Sequence, residues 1–192
     1  RSDSAVDPSN QINSETAEKL IKYLIKHQHW SPLEMATMCL EIETTRDIAR
    51  QILRHRSFSF QEFSQRYADP TKDLEFVTRE ARLQDLKNRQ NSISEGVDVM
   101  LQYEWEKRQQ DLIEQVKIQY NWAIANGIAK EQARALLPEG LIMSRMYMSG
   151  SLRSWIHYIQ LRSGNGTQKE HMEIAKECAK VIAEVFPLST QF

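Results

Sequence analysis

The chain has 192 residues, enough for one domain with a real core, and its 41% hydrophobic and 27% charged residues match a globular protein rather than a disordered one. Its 25 basic and 26 acidic residues nearly cancel, so no global field favours long nucleic acid or an anionic membrane, and any anion site must be local. No apolar run approaches the ~18 residues of a membrane span and no signal-peptide pattern opens the chain, which reads as a soluble, intracellular protein.

Residues 1–13 are polar and irregular. A helix is predicted to start near Asn13 or Ser14, because Ala17, Leu20, Ile21, Leu24 and Ile25 recur at helical spacing; it ends around HQHW, where Ser31-Pro32 marks a turn. Met38, Leu40 and Ile42 then alternate with Cys39, Glu41 and Glu43 as in a half-buried strand. Thr44 and Asp47 stand at capping-box spacing and open a short helix, with Ile48, Ile52 and Leu53 facing inward and Arg46, Arg50 and Arg54 stacked along another side. SFSF alternates like a strand, and QEFSQRY runs into a loop ending at Asp69-Pro70.

Residues 70–96 read as a long surface connection with helical pieces. A long helix follows from about Val97 to Asn126, with a stripe of Leu101, Trp105, Leu112, Val116, Tyr120 and Ala123 and a C-cap at Asn126-Gly127. A second helix, KEQARALL, stops before Pro138. A strand at LIMSRMYMS and the segment SLRSWIHYIQLR come next. The last helix starts at the capping box Thr167-x-x-Glu170 and buries Met172, Ala175, Ala179, Ile182 and Val185 before Pro187. Cys39 and Cys178 lie far apart in apolar surroundings and read as reduced core residues of a reducing compartment.

The chemistry concentrates in RHRSFSFQEFSQRY. Between Arg46 and Tyr67 five arginines face only Asp47 and Glu62, interleaved with Phe58, Phe60, Phe63 and Tyr67. The aromatics would bury the segment, and buried arginines need partners. Bound phosphates meet that need, because a guanidinium fork grips phosphate bidentately. A solvated helix face is the plain alternative, and a binding module for single-stranded nucleic acid, with aromatics stacking on bases, is another. There is no Gly-rich phosphate loop, GxSxG or HExxH, and the histidines, His171 included, are too scattered for a metal site.

Arg54-His55-Arg56, seven residues, then Ser64 resembles the signature of the flavin-dependent thymidylate synthases. KHQHWSPLE, ARQILRHR, SQRY, IAKEQARALLP and WIHYIQLR resemble further segments of that family, in the right order. The resemblance implies an α/β (α+β) fold with a central, mainly antiparallel sheet flanked by helices. It implies reductive methylation of dUMP to dTMP, with methylenetetrahydrofolate as carbon donor, FAD as hydride carrier and NADPH as reductant. It further implies a homotetramer with shared active sites, in the cytoplasm (or the host cytoplasm for a viral protein).

Residue by residue, the resemblance assigns FAD to Ser2, His29, Ser31, Arg54, His55, Arg56, Glu62, Ser151, Arg153 and His157. The histidine at 157 departs from the asparagine found there in some members. It assigns dUMP to Gln51, Arg54, Glu62, Ser64, Gln65, Arg66, Arg134 and Arg162, with Arg162 and Ser64 as the catalytic pair and Arg162 favouring ionisation at the uracil N3. Glu34 is either a site residue or a structural acceptor. Arg1-Ser2 resembles the end of the family's ARxS segment, so residues 1–192 read as a single domain without the family's first strand and helix.

Overall fold

The computed structural model describes residues 14–67, 69, 72 and 75–186. The polar opening segment, Asn13, Ser2, Pro70 and Pro187 lie outside the described residues.

Helix α1 (Ser14–Lys26) lays Ile21, Leu24 and Ile25 on the core, as the helical spacing predicts. A 3-10 turn (Ser31–Glu34) leads into strand β1 (Thr37–Thr45). Thr45 rather than Thr44 is the N-cap of helix α2 (Arg46–Ile52), and its hydroxyl makes no cap bond. Thr45 Oγ1 instead donates to Asp47 Oδ1 at 2.6 Å, and Arg79 Nη2 reaches both oxygens at 2.7 Å. The capping-box expectation fails because strand pairing carries the extended backbone two residues further than the alternation suggests.

Strand β2 (Ser59–Glu62) is the predicted SFSF strand, shifted toward QE. In the 70–96 connection Lys72 is helical, and from 75 to 96 the described residues hold a bridge between Phe76 and Ile142 and a short hairpin, β3 (Leu83–Gln84) with β4 (Ser92–Ile93). Helix α3 (Val99–Ala125) is capped by Asp98, whose carboxylate accepts from the backbone N–H groups of Met100 and Leu101. It ends as predicted: Gly127, at φ +76°, donates to Ile124 O while Ile128 donates to Ala123 O, a Schellman closure that needs a left-handed residue. KEQARALL becomes a single α turn, α4 (Lys130–Ala133), and a 3-10 turn (Arg134–Leu136). Strand β5 (Met143–Ser151), helix α5 (Leu152–Arg162) and helix α6 (Lys169–Val185) complete the chain. The N-cap of α6 is Gln168, not Thr167.

The sheet is antiparallel in the order β1-β5-β2, with Ile42 opposite Met146 and Phe60 opposite Met148. Ile42, Met146 and Met148 point to one face, where Ile48 and Ile52 of α2, Trp155, Ile156, Tyr158 and Ile159 of α5, and Ala175, Cys178 and Ile182 of α6 pack on them. This is the α+β fold the resemblance implies. The period-2 alternation leaves Cys39, Glu41, Glu43, Arg145 and Tyr147 exposed on the other face. Cys178 is therefore a core residue and Cys39 is not.

Gly150 faces Phe58 so closely that a Cβ there would stand 2.5 Å from its ring. The apolar stripe of α3 is only half used. Val116, Tyr120 and Ala123 pack on Ala133, Leu137 and Ile142, while Leu101, Trp105 and Leu112 stay exposed. The N-terminal half of α3 serves as a peg for the preceding backbone. Buried Gln109 accepts from Arg79 N (2.8 Å) and donates to Arg79 O (2.9 Å). In α6 His171, not Met172, occupies the buried phase with Ala175, Cys178 and Ile182, and Val185 is exposed.

Candidate functional site

Helix α2 unwinds after Ile52, and the turn that follows presents Arg54, His55 and Arg56. Phe58 anchors this turn: it is buried edge-on against Trp155 (centroids 4.9 Å apart) and Tyr158. The anchor separates the segment into two kinds of side chain. The aromatics go in, Phe58 buried and Phe60 and Phe63 partly so, while Arg54 and Arg56 stay exposed. The expectation of buried arginines holds for Arg46 and is corrected for Arg50, Arg54, Arg56 and Arg66, which are exposed while Phe58 takes the buried place on the turn. Tyr67 is also exposed, beneath the Arg66 guanidinium. Neither Arg54 nor Arg56 has a carboxylate partner among the described residues.

His55 turns inward and meets the C-terminal end of α5. Arg162 Nε donates to His55 Nε2 at 2.9 Å, which requires that nitrogen to carry a lone pair. Burial, and then the Arg162 charge, push the His55 imidazole down to about 4, so it is neutral at neutral pH. Its ring stands edge-on to Tyr158 (4.9 Å) and His171 (6.2 Å). Buried His171 in turn bonds Tyr158 OH through Nε2 and Gln51 Oε1 through Nδ1, each at 3.2 Å. Gln51 Nε2 donates to Gln168 Oε1 at 2.8 Å. Residues 51, 55, 162, 168 and 171 come from three helices and two turns and meet in one place.

A cleft of about 450 Å³ lies along the N-terminal end of α5, lined by Trp30, Glu34, Ser57, Arg153, Ser154, His157 and Gln160. Ser151 caps α5 by accepting from Ser154 N, and Ser154 Oγ donates to Ser57 O, tying the cleft to the arginine turn. Glu34 accepts from Arg153 Nη1 at 2.8 Å. Hydrogen bonds from Ser151 and Arg153 hold its carboxyl below the ordinary range. His29 and Ser31 are exposed beside this cleft and are not part of its lining.

A second cleft, about 330 Å³, is lined by Arg46, Arg50, Gln65, Glu131, Arg134, Ala135, Leu137 and Glu139. Arg46 and Arg50 share Glu139, Arg66 pairs with Glu131 (3.3 Å), and Ser64 Oγ accepts from Arg66 N. Glu62 accepts from Ser144 and lies 4.0 Å from Arg46 Nη1. That Nη1 and the buried Gln65 Nε2 have no hydrogen-bond partner among the described residues. Unspent buried donors of this kind mark a place where an anion or carbonyl completes the bonding.

The expected residues therefore fall into three groups. Gln51, His55 and Arg162 meet in the buried cluster. Arg153 and His157 line the first cleft, Ser151 supports it, and Arg54 and Arg56 are exposed on the turn tied to it. Gln65 and Arg134 line the second cleft, with Glu62, Ser64 and Arg66 around it. The structure does not unite Arg134 with Arg162 within one chain. Sequence reasoning missed His171, Tyr158 and Gln168, and it placed Arg46 only in a stack. The 171-175-178-182 spacing, the phase of a buried face, is the signal that would have found His171.

The family model described as "Thymidylate synthase complementing protein" matches residues 1–188. A "Probable flavin-dependent thymidylate synthase" of Paramecium bursaria Chlorella virus 1 is 50% identical over 181 residues, covering 94% of this chain and 82% of that protein. A "Flavin-dependent thymidylate synthase" of Synechocystis sp. is 48% identical over 182 residues, covering 95% and 82%. A third, of Kosmotoga olearia, is 30% identical, covering 91% and 75%. With its Arg-His-Arg turn joined to Arg162 and matches of this extent, the chain belongs to the family of flavin-dependent thymidylate synthases.

Proposed function

We propose that this protein converts dUMP to dTMP by reductive methylation, with FAD as the flavin, methylenetetrahydrofolate as carbon donor and NADPH as reductant. The observation that carries the reading is the 2.9 Å bond from Arg162 to His55. It brings a fixed cation 107 positions away onto the arginine turn, against the neutral imidazole of His55.

The residues present fit a flavin dinucleotide. Arg54 and Arg56 are exposed guanidinium groups without carboxylate partners among the described residues, suited to a diphosphate, and they sit on the turn whose Ser57 lines the first cleft. Ser57, Arg153 and His157 supply further donors there. When bound, the flavin supplies the hydride that completes the methyl group.

The chain's own part is orientation and charge. With Nε committed to His55, Arg162 keeps both Nη ends for the uracil edge, where a permanent cation favours loss of the N3 proton and stabilises charge as C5 forms its bond to the one-carbon unit. Ser64, Arg66 and Gln65 with Arg134 provide donors for the nucleotide phosphate, Gln65 Nε2 being unspent. A cysteine nucleophile is not required. Cys178 is buried with its thiol pushed up to about 12, and Cys39 lines neither cleft.

Because Arg162 and Arg134 stand in separate groups, a complete nucleotide site is built between copies of the chain, in a homotetramer. The exposed Val99, Met100, Tyr103 and Trp122 of α3 supply apolar surface for that assembly. No helix among the described residues is long and apolar enough to cross a membrane.

The test is to load the purified protein with FAD, desalt it and record its visible spectrum with and without dUMP. A retained flavin band that shifts on adding dUMP, and is lost in Arg56→Ala, is the expected result. A protein that holds flavin but neither responds to dUMP nor changes with Arg162→Ala would refute it.

A further inference from the structure

Behind Gln51 runs a chain of side-chain hydrogen bonds whose direction is determined at one end. Glu170 is paired with Arg82 and so is ionised and can only accept. Gln168 Nε2 donates to Glu170 Oε2 at 2.9 Å, which leaves Gln168 Oε1 as the acceptor for Gln51 Nε2. Gln51 Oε1 must then accept, and it does so from His171 Nδ1–H. His171 Nε2 is left with a lone pair that receives the Tyr158 hydroxyl proton. Every step has one allowed polarity, from Tyr158 O–H to the Glu170 carboxylate. His171 is fully buried and lies against neutral His55 and charged Arg162, surroundings that disfavour a second proton on the ring.

Resting on the nucleotide reading above, we propose that this relay, with His171 as its central positioning residue, locks the orientation of the Gln51 carboxamide and so selects uracil over cytosine. One Nε2 hydrogen and one Oε1 lone pair of Gln51 remain unspent, at opposite ends of a planar group. Uracil presents a carbonyl at position 4 whether or not N3 keeps its proton, and that oxygen calls for a donor, whereas cytosine presents an amino group there and calls for an acceptor. A 180° flip of a free carboxamide would exchange its donor and acceptor ends and serve either base equally. A carboxamide held by His171 on one side and Gln168 on the other cannot flip without breaking both bonds.

Two variants separate polarity from packing. Glu170→Gln keeps the shape but supplies a donor at the end of the relay, so that both directions become possible. His171→Phe keeps the volume and removes the bond to Gln51, while His171→Asn restores a donor near the Nδ1 position. With the FAD-loaded protein, equilibrium binding of dUMP and of dCMP gives a discrimination ratio that general loss of stability does not move. The ratio is expected to fall about tenfold in His171→Phe, the equivalent of ~1.4 kcal/mol, severalfold in Glu170→Gln, and to recover in His171→Asn. In a Gln51→Ala background neither change should have any further effect on the ratio.

An unchanged ratio in Glu170→Gln and His171→Phe, with dUMP still bound by the parent, overturns the relay and leaves the nucleotide site standing. Should His171→Phe not fold, Glu170→Gln alone decides. A parent that binds neither nucleotide overturns the functional reading and this one with it.

Discussion

The tight approach of Gly150 to Phe58 gives a sharp mutational expectation. In Gly150→Ala the new Cβ would lie 2.5 Å from Phe58 Cδ1 and 2.7 Å from Cε1. Carbon atoms pack at about 3.5–4.0 Å, so the ring must retreat by about 1 Å. Trp155 stands edge-on 4.9 Å behind it and Tyr158 6.0 Å away, both fully buried, so the ring has no vacant space to enter. Overpacking of this kind costs ~1–3 kcal/mol, which for a chain of this size lowers Tm by about 3–10 °C. Thermal and urea unfolding of Gly150→Ala measure it directly. The loss should largely vanish when Phe58→Leu is present to remove the offending ring edge, a coupling read from the double-mutant cycle. Gly150→Ala as stable as the parent, or equally damaging in the Phe58→Leu background, would refute the reasoning. Phe58 also anchors the Arg54–Arg56 turn, so flavin affinity should weaken together with stability in the single variant.

Gln109→Ala removes both bonds to the Arg79 backbone and leaves buried groups unpaired; a loss of about 2–4 kcal/mol and faster amide exchange at Arg79 are expected, and slow exchange there would contradict the peg. The two buried histidines make stability depend on pH. Burial, then the Arg162 charge, lower both imidazoles to about 4 from an ordinary value near 6.5. Between those values the unfolded chain binds protons that the folded chain refuses, so stability is full above about 6.5 and falls as pH drops toward 4. Urea midpoints at about pH 7.5, 6 and 5 check the direction, and His171→Asn should flatten part of the slope. A midpoint that is constant or rises on acidification would show the imidazoles to be exposed. Glu34→Gln should weaken the Arg153 pairing at the first cleft with little change in Tm, because the pair is half-exposed.

Local patterns alone determined much of this protein. Period-2 alternation placed β1 on a half-buried sheet face, and the helical spacing of Leu20, Ile21, Leu24 and Ile25 placed α1 on the core. Asn126-Gly127 ended α3 because a Schellman closure demands a left-handed residue at one position. The arginine-aromatic segment and its companions identified the family, since motif order survives without knowledge of contacts.

What the sequence could not decide is where distant elements meet. The half-used stripe of α3 depends on how much of the helix faces Ile142 and Leu137, which is set by the turn after α4. The burial of Phe58 against the exposure of Arg54 and Arg56 depends on the direction in which the chain leaves α2. Along the chain His171 is one histidine among scattered ones, and only the packing of α6 beside α2 and α5 brings it between Gln51 and Tyr158. Hydrogen-bond polarity is a property of the assembled network, fixed by an ion pair between Arg82 and Glu170, 88 positions apart in the chain. Spacing along the chain carries no record of such a pairing; the tertiary structure does, because a buried donor and a buried acceptor each need the other.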